Sequence, residues 1–314
     1  MASQPTDYVL IDKELFIQPK NVSVSYKTKQ NRAYQDRIGI PKIKNLEGHN
    51  KIAMLSLCDG HGELGGEFAE FALKEFYDFF EWLPLDCYKW EIEKWNDYII
   101  NLFKNAHKTI VDYMTNNYGK LLHGGTTATI LFFLENIEGY RLICANVGDS
   151  RCFMGLFNTS PINLSVDHKP DPSIIAHINT YIPNLVSFSR DGNYIMAPTG
   201  EGLAMDRSLG DPILHNLVFG ATCIPSIKEY YYKNIDHKIN NSVYIVLVSD
   251  GVSDLVNNNE IIDILFQNEI DNQYFYETRD LKEVIDSIMM VVENRGQIYG
   301  DTKDDASIIV LNIY

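Results

Sequence analysis

Aspartate residues recur at the ends of apolar runs in this 314-residue chain. Three runs of strand length lead directly into Asp59, Asp149 and Asp250, while Asp304 precedes a fourth run and Asp36 a short fifth one. An aspartate followed by glycine is, by itself, typical of a hairpin turn. Because strands that end at one edge of a sheet bring their flanking residues together, we expect these carboxylates to converge.

Converging carboxylates repel one another and raise one another's pKa, so such a cluster favours bound cations. Oxygen ligands without a Cys/His cluster at zinc spacing indicate Mg²⁺ or Mn²⁺ rather than zinc or copper. Two such ions, about 3.5–4 Å apart, generate a hydroxide and stabilise in-line displacement at phosphorus. The spacing of the aspartates therefore predicts metal-assisted hydrolysis of a phosphate ester.

The elements that must position these residues follow from hydrophobic periodicity. Predicted strands are Ile52–Cys58, Thr127–Leu134, Tyr140–Asn146, Arg151–Phe157, Val243–Ser249 and Ala306–Ile313. Predicted helices are Leu64–Trp82, Ile92–Asn117, Asn258–Asn268 and Arg279–Asn294, and all three tryptophans, Trp82, Trp90 and Trp95, are predicted to lie in the core. Strands 140–146 and 151–157 have no helix between them, which favours antiparallel sheet and an α+β fold.

Composition excludes several classes of protein. The formal net charge of −15 argues against nucleic acid or an anionic membrane surface as a partner. No apolar run approaches the ~20 residues of a membrane span, and residues 1–15 carry three acidic side chains, so we expect neither a span nor a signal peptide. Five widely spaced cysteines without a C-x-x-C pair predict reduced thiols, and hence a cytoplasmic or nuclear location.

Seven motifs, in order, resemble those of the metal-dependent PPM/PP2C protein serine/threonine phosphatases. They are Leu57-Cys-Asp-Gly-His-Gly62, Gly125-Thr-Thr-Ala128, Ala145-Asn-Val-Gly-Asp-Ser-Arg151, Asp167-His-Lys-Pro170, Leu203-Ala-Met-Asp-Arg-Ser-Leu-Gly-Asp211, Ser249-Asp-Gly251 and Thr302-Lys-Asp-Asp-Ala-Ser307. The resemblance implies a β-sandwich of two antiparallel sheets flanked by helices, an α-β-β-α layering. It assigns residues 20–314 to one PPM-type phosphatase domain, with residues 1–19 as an N-terminal segment packed on it.

The same resemblance implies a site for two Mg²⁺ or Mn²⁺ ions with a weaker third. The implied ligands are Asp36 (through water), Asp59, the Gly60 carbonyl, Asp149, Asp250 and Asp304. Asp59 would bridge the two ions, and Asp149 would belong to the third. A hydroxide bridging the metals would attack phosphorus directly, without a phosphoenzyme, and His61 would protonate the leaving serine or threonine oxygen.

Two departures from the family pattern affect substrate binding. The register of the family's phosphate-binding arginine holds Asn31, so we expect Arg32, one residue further on, to bind phosphate, with Lys27 or Lys29 as alternatives. The segment 171–199, expected to form a flap beside the site, lacks the usual double glycine. That loss predicts an altered or relaxed choice of substrate.

The sequence thus predicts an active Mg²⁺- or Mn²⁺-dependent phosphatase of phosphorylated proteins, a monomer whose acidic surface favours basic phosphopeptides. Two alternatives stay open. One is a family member that has lost catalysis and acts as a binding or regulatory protein, and the other is a hydrolase of small phosphorylated metabolites on the same scaffold. Retention of Asp59, Asp250 and Asp304 favours the enzyme.

Overall fold

The structure is a computed structural model and describes residues 22–29, 35–118, 124–136, 139–170, 173, 187–189, 194–196, 200, 202–212, 215, 223–233, 243–275, 281–299 and 304–313. The predicted N-terminal segment 1–19 lies outside these ranges, as does most of the predicted flap 171–199. The helices are α1 (Gly65–Glu81), α2 (Ile92–Tyr118), α3 (Asp250–Ser253), α4 (Asn258–Phe275) and α5 (Leu281–Tyr299), with 3-10 turns at Glu47–His49 and Cys87–Lys89.

Two antiparallel sheets hold the longer strands. The first has the order β1 (Val22–Lys29), β15 (Ala306–Ile313), β14 (Val243–Val248), β7 (Arg151–Leu156), β8 (Ile162–Asn163). The second has the order β12 (Leu209–Gly210), β4 (Gly124–Thr126), β3 (Lys51–Gly62), β5 (Ala128–Asn136), β6 (Gly139–Val147), β13 (Ser226–Lys233), and β2 (Asp36–Asn45) pairs with β3. A small third sheet joins β9 (Ser187–Phe188), β10 (Ile195–Met196) and β11 (Gly202–Leu203).

The two large sheets pack face to face. Because side chains alternate along a strand, Leu55 and Leu57 of β3 point towards the other sheet, where they join Ile245 and Leu247 of β14 in one buried cluster. Met54, the residue just before Leu55, points the other way and lies in a different cluster on the outer face. A strand covered on both faces is apolar throughout, and every residue of β14 is buried.

Helices cover the outer face of each sheet. On one side α1 and α2 pack on β3, β5 and β6 through an inner stripe that includes Phe76, Trp95 and Phe103. On the other side α4 and α5 pack on β14 and β15 through residues such as Leu265 and Ile288. The layers therefore run helix, sheet, sheet, helix, which confirms the predicted α+β sandwich of two antiparallel sheets.

Some local predictions were wrong. Trp82, predicted to be core, is 84% exposed, whereas Trp90 and Trp95 are buried. The inward stripe of α1 contains Phe76 and Phe80, and at about 100° per residue Trp82, the C-cap residue of the helix, falls off that stripe. The longer strands β1, β2 and β13 were not predicted. None of the described helices is both long and apolar enough to cross a bilayer.

We predict that Leu55→Ala lowers the free energy of unfolding by about 2–5 kcal/mol, because the lost side chain leaves a cavity between the sheets. Leu85→Ala removes the same atoms from a side chain that is 49% exposed, and should change stability by less than about 1 kcal/mol. Urea unfolding followed by circular dichroism measures both. Similar losses for the two variants would show that the interior between the sheets is not the main core.

Candidate active site

Asp36 and Asp59 lie side by side because they are paired residues of the antiparallel strands β2 and β3. Thr127 holds the backbone of Asp59 from the side opposite β2. The Asp59 N–H donates to Thr127 Oγ1 at 3.0 Å, and the Asp59 carbonyl accepts the Thr127 N–H at 2.7 Å. Asp36 is only 1% exposed. The register of one strand pair thus places two carboxyl groups together at the end of the second sheet.

Asp250 and Asp304 reach the same place from the first sheet. Asp250 lies two residues after the end of β14, and Asp304 comes just before β15, the strand paired with β14. Ser249 connects the two sheets, since its hydroxyl donates to Asp36 Oδ2 at 2.9 Å and accepts the backbone N–H of Ser307 at 2.9 Å.

Asp305 adds a second connection between the sheets. Its Oδ2 accepts the backbone N–H of Gln35 at 2.5 Å and that of Asp36 at 3.3 Å. Gly251 is required at this point, because a Cβ there would lie 2.0 Å from the Asp305 carbonyl oxygen. The start of α3 can therefore approach the start of β15 closely enough to bring Asp250 to the cluster.

Burial and mutual repulsion raise the pKa values of this cluster. Burial, aided by the charge of Asp305, raises the pKa of Asp36 to about 6 against the opposing hydrogen bonds. Burial, followed by the charges of Asp36 and Asp250, raises the pKa of Asp59 well above its ordinary value. The Asp304 side chain is exposed at the rim, yet loss of surrounding water and the charges of Asp250 and Asp36 raise its pKa to about 7.

Asp149 approaches the cluster from the turn after β6. Its Oδ2 accepts from Lys169 Nζ at 2.5 Å, and its side chain is only 2% exposed. Burial and the charge of Asp149 raise the pKa of Asp250, so the two carboxyl groups interact electrostatically. The single positive charge of Lys169 is too little to balance the cluster.

The donor chemistry fits hard divalent cations. Asp36, Asp149 and Asp250 each have a buried Oδ1 that finds no hydrogen-bond partner among the described residues. A buried oxygen without a donor is costly, and an oxygen-ligated cation removes that cost. No three His, Cys, Asp or Glu side chains in the described ranges are arranged as a ready-made metal site. The site therefore fits divalent cations through the type and charge of its oxygen atoms.

Two glycines, Gly60 and Gly65, allow the end of β3 to contact the start of α1 beside the aspartate cluster. A Cβ on Gly60 would lie 2.1 Å from the Gly65 carbonyl oxygen, and a Cβ on Gly65 would lie 2.5 Å from the Gly60 carbonyl carbon. The start of α1 is thus in backbone contact with the strand end, at the residue whose carbonyl the sequence predicts as a ligand. Gly62 has φ 81°, a left-handed conformation that turns the chain towards α1.

His61 lies beside the carboxylates. Its Nε2 is 2.8 Å from Asp211 Oδ2, and its Nδ1 is buried with no hydrogen-bond partner in the described part of the chain. Burial alone would lower the pKa of His61, but the charge and hydrogen bond of Asp211, with smaller contributions from Asp149 and Asp250, raise it above the ordinary value. The imidazole is therefore favoured in its protonated form, ready to donate a proton.

A family model described as Protein phosphatase 2C matches residues 22–296. The chain belongs to the protein phosphatase 2C family. It is 29% identical over 252 residues to "Probable protein phosphatase 2C 20" of Arabidopsis thaliana, which covers 78% of this chain and 75% of that relative. It is 27% identical over 252 residues to "Probable protein phosphatase 2C 58" of the same organism, covering 78% of this chain and 77% of the relative.

Solved structures of phosphatases share the fold. The crystal structure of serine-threonine phosphatase 2C from Toxoplasma gondii superposes with a TM-score of 0.68 at 15% identity, over 99% of this chain and 100% of that chain. A bacterial serine phosphatase superposes with a TM-score of 0.58 at 18% identity, over 93% and 97% of the two chains. The family predicted from the motifs and the predicted fold are both confirmed.

Within this protein phosphatase 2C domain, the structure brings His61 together with the residues predicted as metal ligands. These are Asp36, Asp59, Gly60, Asp149, Asp250 and Asp304. Arg32, the predicted phosphate ligand, lies outside the described residues, and only the backbone of its alternatives Lys27 and Lys29 is described. Gln35, the last residue before Asp36, donates its Nε2–H to the Gly62 carbonyl oxygen at 2.5 Å.

Sequence reasoning missed Asp211 and Lys169. Both stand in motifs that were identified, as the last residue of the 203–211 motif and the lysine of the 167–170 motif. No role was assigned to them because the carboxylate and the histidine that they contact lie far away in sequence. The only available signal was that a buried charged residue needs a partner of opposite charge or a hydrogen bond. That requirement does not identify the partner.

We predict that the aspartate cluster destabilises the metal-free protein increasingly as the pH rises from about 5 to about 7.5, because raised native pKa values mean that folding favours the protonated carboxyls. Asp250→Asn cannot ionise and should recover about 1–3 kcal/mol at pH 7.5, with little gain at pH 5. Urea unfolding in EDTA at both pH values gives the difference.

The exposed helix residue Asp263 provides the matched control, and Asp263→Asn should change stability equally at the two pH values. A gain for Asp250→Asn that is the same at pH 5 and pH 7.5 would contradict charge repulsion as the cause.

Proposed function

We propose that this chain is a Mg²⁺- or Mn²⁺-dependent protein serine/threonine phosphatase. The observation that carries the proposal is the meeting of carboxylates from both sheets beside His61, where three buried oxygens find no hydrogen-bond partner among the described residues. Membership of a phosphatase family supports the reaction class. The arrangement of ligands and acid supports hydrolysis of a phosphate monoester.

In this proposal two divalent ions are held by Asp36 (through water), Asp59, the Gly60 carbonyl, Asp250 and Asp304, and a weaker third by Asp149. When bound, the ions supply a nucleophile derived from water and offset the negative charge of the phosphoryl group. The rigid backbone contact between Gly60 and Gly65 keeps the strand end in place for ion binding. Lys169 must share Asp149 with the third ion, which is consistent with a weaker site.

His61 is the proposed general acid. Asp211 and the neighbouring acidic groups raise the pKa of His61, which favours the protonated ring until a proton is passed to the leaving oxygen. Arg32 is the proposed phosphate ligand, with Lys27 and Lys29 as alternatives. The substrate is a phosphorylated protein, and the acidic balance of the chain favours basic sequences around the phosphorylated residue.

We further propose that the domain acts as a monomer in a reducing compartment, cytoplasmic or nuclear. The four cysteines Cys58, Cys87, Cys144 and Cys152 are buried as free thiols, and Cys223 is also free. Free buried thiols are typical of proteins that fold under reducing conditions.

We predict turnover of phosphothreonine peptides by purified protein with Mn²⁺ or Mg²⁺, and its loss in EDTA. Asp250→Ala, which removes a ligand, should lower turnover by at least about 100-fold, because metal activation of water and charge stabilisation are both lost. Asp263→Ala, on an exposed helix face, is the control and should keep full activity.

Three outcomes separate the candidate functions. Metal-dependent turnover of phosphopeptides supports the proposal, and turnover of p-nitrophenyl phosphate without any phosphopeptide supports a hydrolase of small metabolites. The absence of metal-dependent turnover on either substrate would leave a catalytically inactive binding or regulatory protein.

His61→Ala should reduce hydrolysis of phosphothreonine peptides by about 100-fold or more and that of p-nitrophenyl phosphate by much less, because nitrophenolate leaves without needing a proton. The measurement is kcat for both substrates with saturating Mn²⁺. Equal losses on the two substrates would exclude His61 as the acid.

A further inference from the structure

Asp211 is the centre of a buried chain of hydrogen bonds that begins at His61. Its Oδ2 lies 2.8 Å from His61 Nε2 and also accepts the hydroxyl hydrogen of Ser208 at 2.5 Å. The Ser208 oxygen is in turn 3.1 Å from Nε2 of His215. A serine hydroxyl has a single hydrogen, and since Ser208 gives it to Asp211, His215 must be the donor to Ser208.

The backbone explains why Asp211 reaches His61. In the second sheet Gly125 of β4 pairs with His61 of β3 on one side and with Gly210 of β12 on the other. A Cβ on Gly125 would lie 2.4 Å from Asp211 Oδ2, so the absence of a side chain there opens the path across the sheet. Asp211 itself has φ 45°, and its N–H donates to the Gly124 carbonyl at 2.9 Å.

A stacked pair of histidines lies at the far end of this series of hydrogen bonds, beyond Ser208. The rings of His107 and His215 are 4.6 Å apart and nearly parallel, and His107 Nδ1 accepts the backbone N–H of Gly210 at 3.2 Å. Burial lowers the pKa of His107, and burial with the nearby His107 lowers that of His215 to about 3. These lowered pKa values favour the neutral form of both rings.

We propose that Asp211 is the positioning residue for His61, holding Nε2–H so that Nδ1 is the nitrogen that gives its proton to the leaving group. The inference rests on the proposed function. Nε2 is occupied by Asp211, whereas Nδ1 has no hydrogen-bond partner among the described residues, so Nδ1 is the ring nitrogen left for the leaving group. A carboxylate that fixes one imidazole nitrogen sets both the tautomer and the orientation of the ring.

The test uses the full chain with Mn²⁺ and two aryl phosphates, phenyl phosphate and p-nitrophenyl phosphate, of which the first has the poorer leaving group. Asp211→Asn keeps an acceptor and suits the left-handed backbone, but it removes the charge. We expect kcat on phenyl phosphate to fall about 10- to 100-fold, with less than about a threefold change on p-nitrophenyl phosphate and little change in KM. The His61→Ala, Asp211→Asn double variant should be no slower than His61→Ala alone.

Ser208→Ala is the second variant, in case Asp211→Asn does not fold, and should give a smaller loss of about two- to tenfold that again falls mainly on phenyl phosphate. Asp263→Asn is the matched control and should change neither rate. Equal losses on the two esters, or a further loss in the double variant, would overturn the proposal and leave Asp211 with a structural role only.

A second measurement does not depend on activity. In nitrogen-15 spectra of the metal-free protein, with His61 assigned by comparison with His61→Asn, the neutral ring should carry its proton on Nε2, and Asp211→Asn should reduce that preference. A wild-type proton on Nδ1 would overturn the proposal. Inactivity of the wild type on both esters and on phosphothreonine peptides would instead overturn the proposed function, and the tautomer would still decide the geometry.

Discussion

Repulsion among aspartates is the constraint on which the rest of this structure depends. Asp36 and Asp59 come from one sheet and Asp250 and Asp304 from the other, and burial leaves Asp36 and Asp59 little water to screen their charges. Such a cluster persists only because the two sheets are packed through a large apolar interior that outweighs the local cost. The same repulsion that destabilises the metal-free fold makes the cluster a strong attractor for divalent cations.

Close backbone approach is the second requirement of the site. Gly60 against Gly65 joins the acidic end of β3 to α1. Gly251 against Asp305 joins the two strands of the first sheet at their ends, and Gly125 leaves room for the Asp211 carboxylate to reach His61. Each contact is one that a Cβ would prevent. The acidic groups and the histidine are thus fixed by rigid main chain rather than by flexible loops, which suits an arrangement that must hold charge in place.

Periodicity predicted the elements that are strongly amphipathic or continuously apolar, and it failed where local signals were mixed. The α2 helix was predicted to within one residue of its observed end, and β14 and β15 were placed correctly because strands buried on both faces are apolar throughout. Strand β13 lies at the sheet edge and was missed, because its charged and aromatic residues come in runs (Lys-Glu, then Tyr-Tyr-Tyr) instead of alternating. Trp82 was misplaced because a hydrophobic residue at the end of a helix is not required to face inward.

The sequence by itself determined the family and, through it, the phosphatase class, and it predicted the acidic ligands, because ordered motifs carry the residue types that the chemistry needs. It also determined the layering, since alternation and helical period define which faces are apolar. Only the tertiary structure decided which groups meet: Asp211 with His61, Lys169 with Asp149, and Ser249 with Asp36. These contacts join residues up to 213 positions apart, and no local pattern encodes a partner when the pairing is produced by strand register and by the packing of one sheet on another.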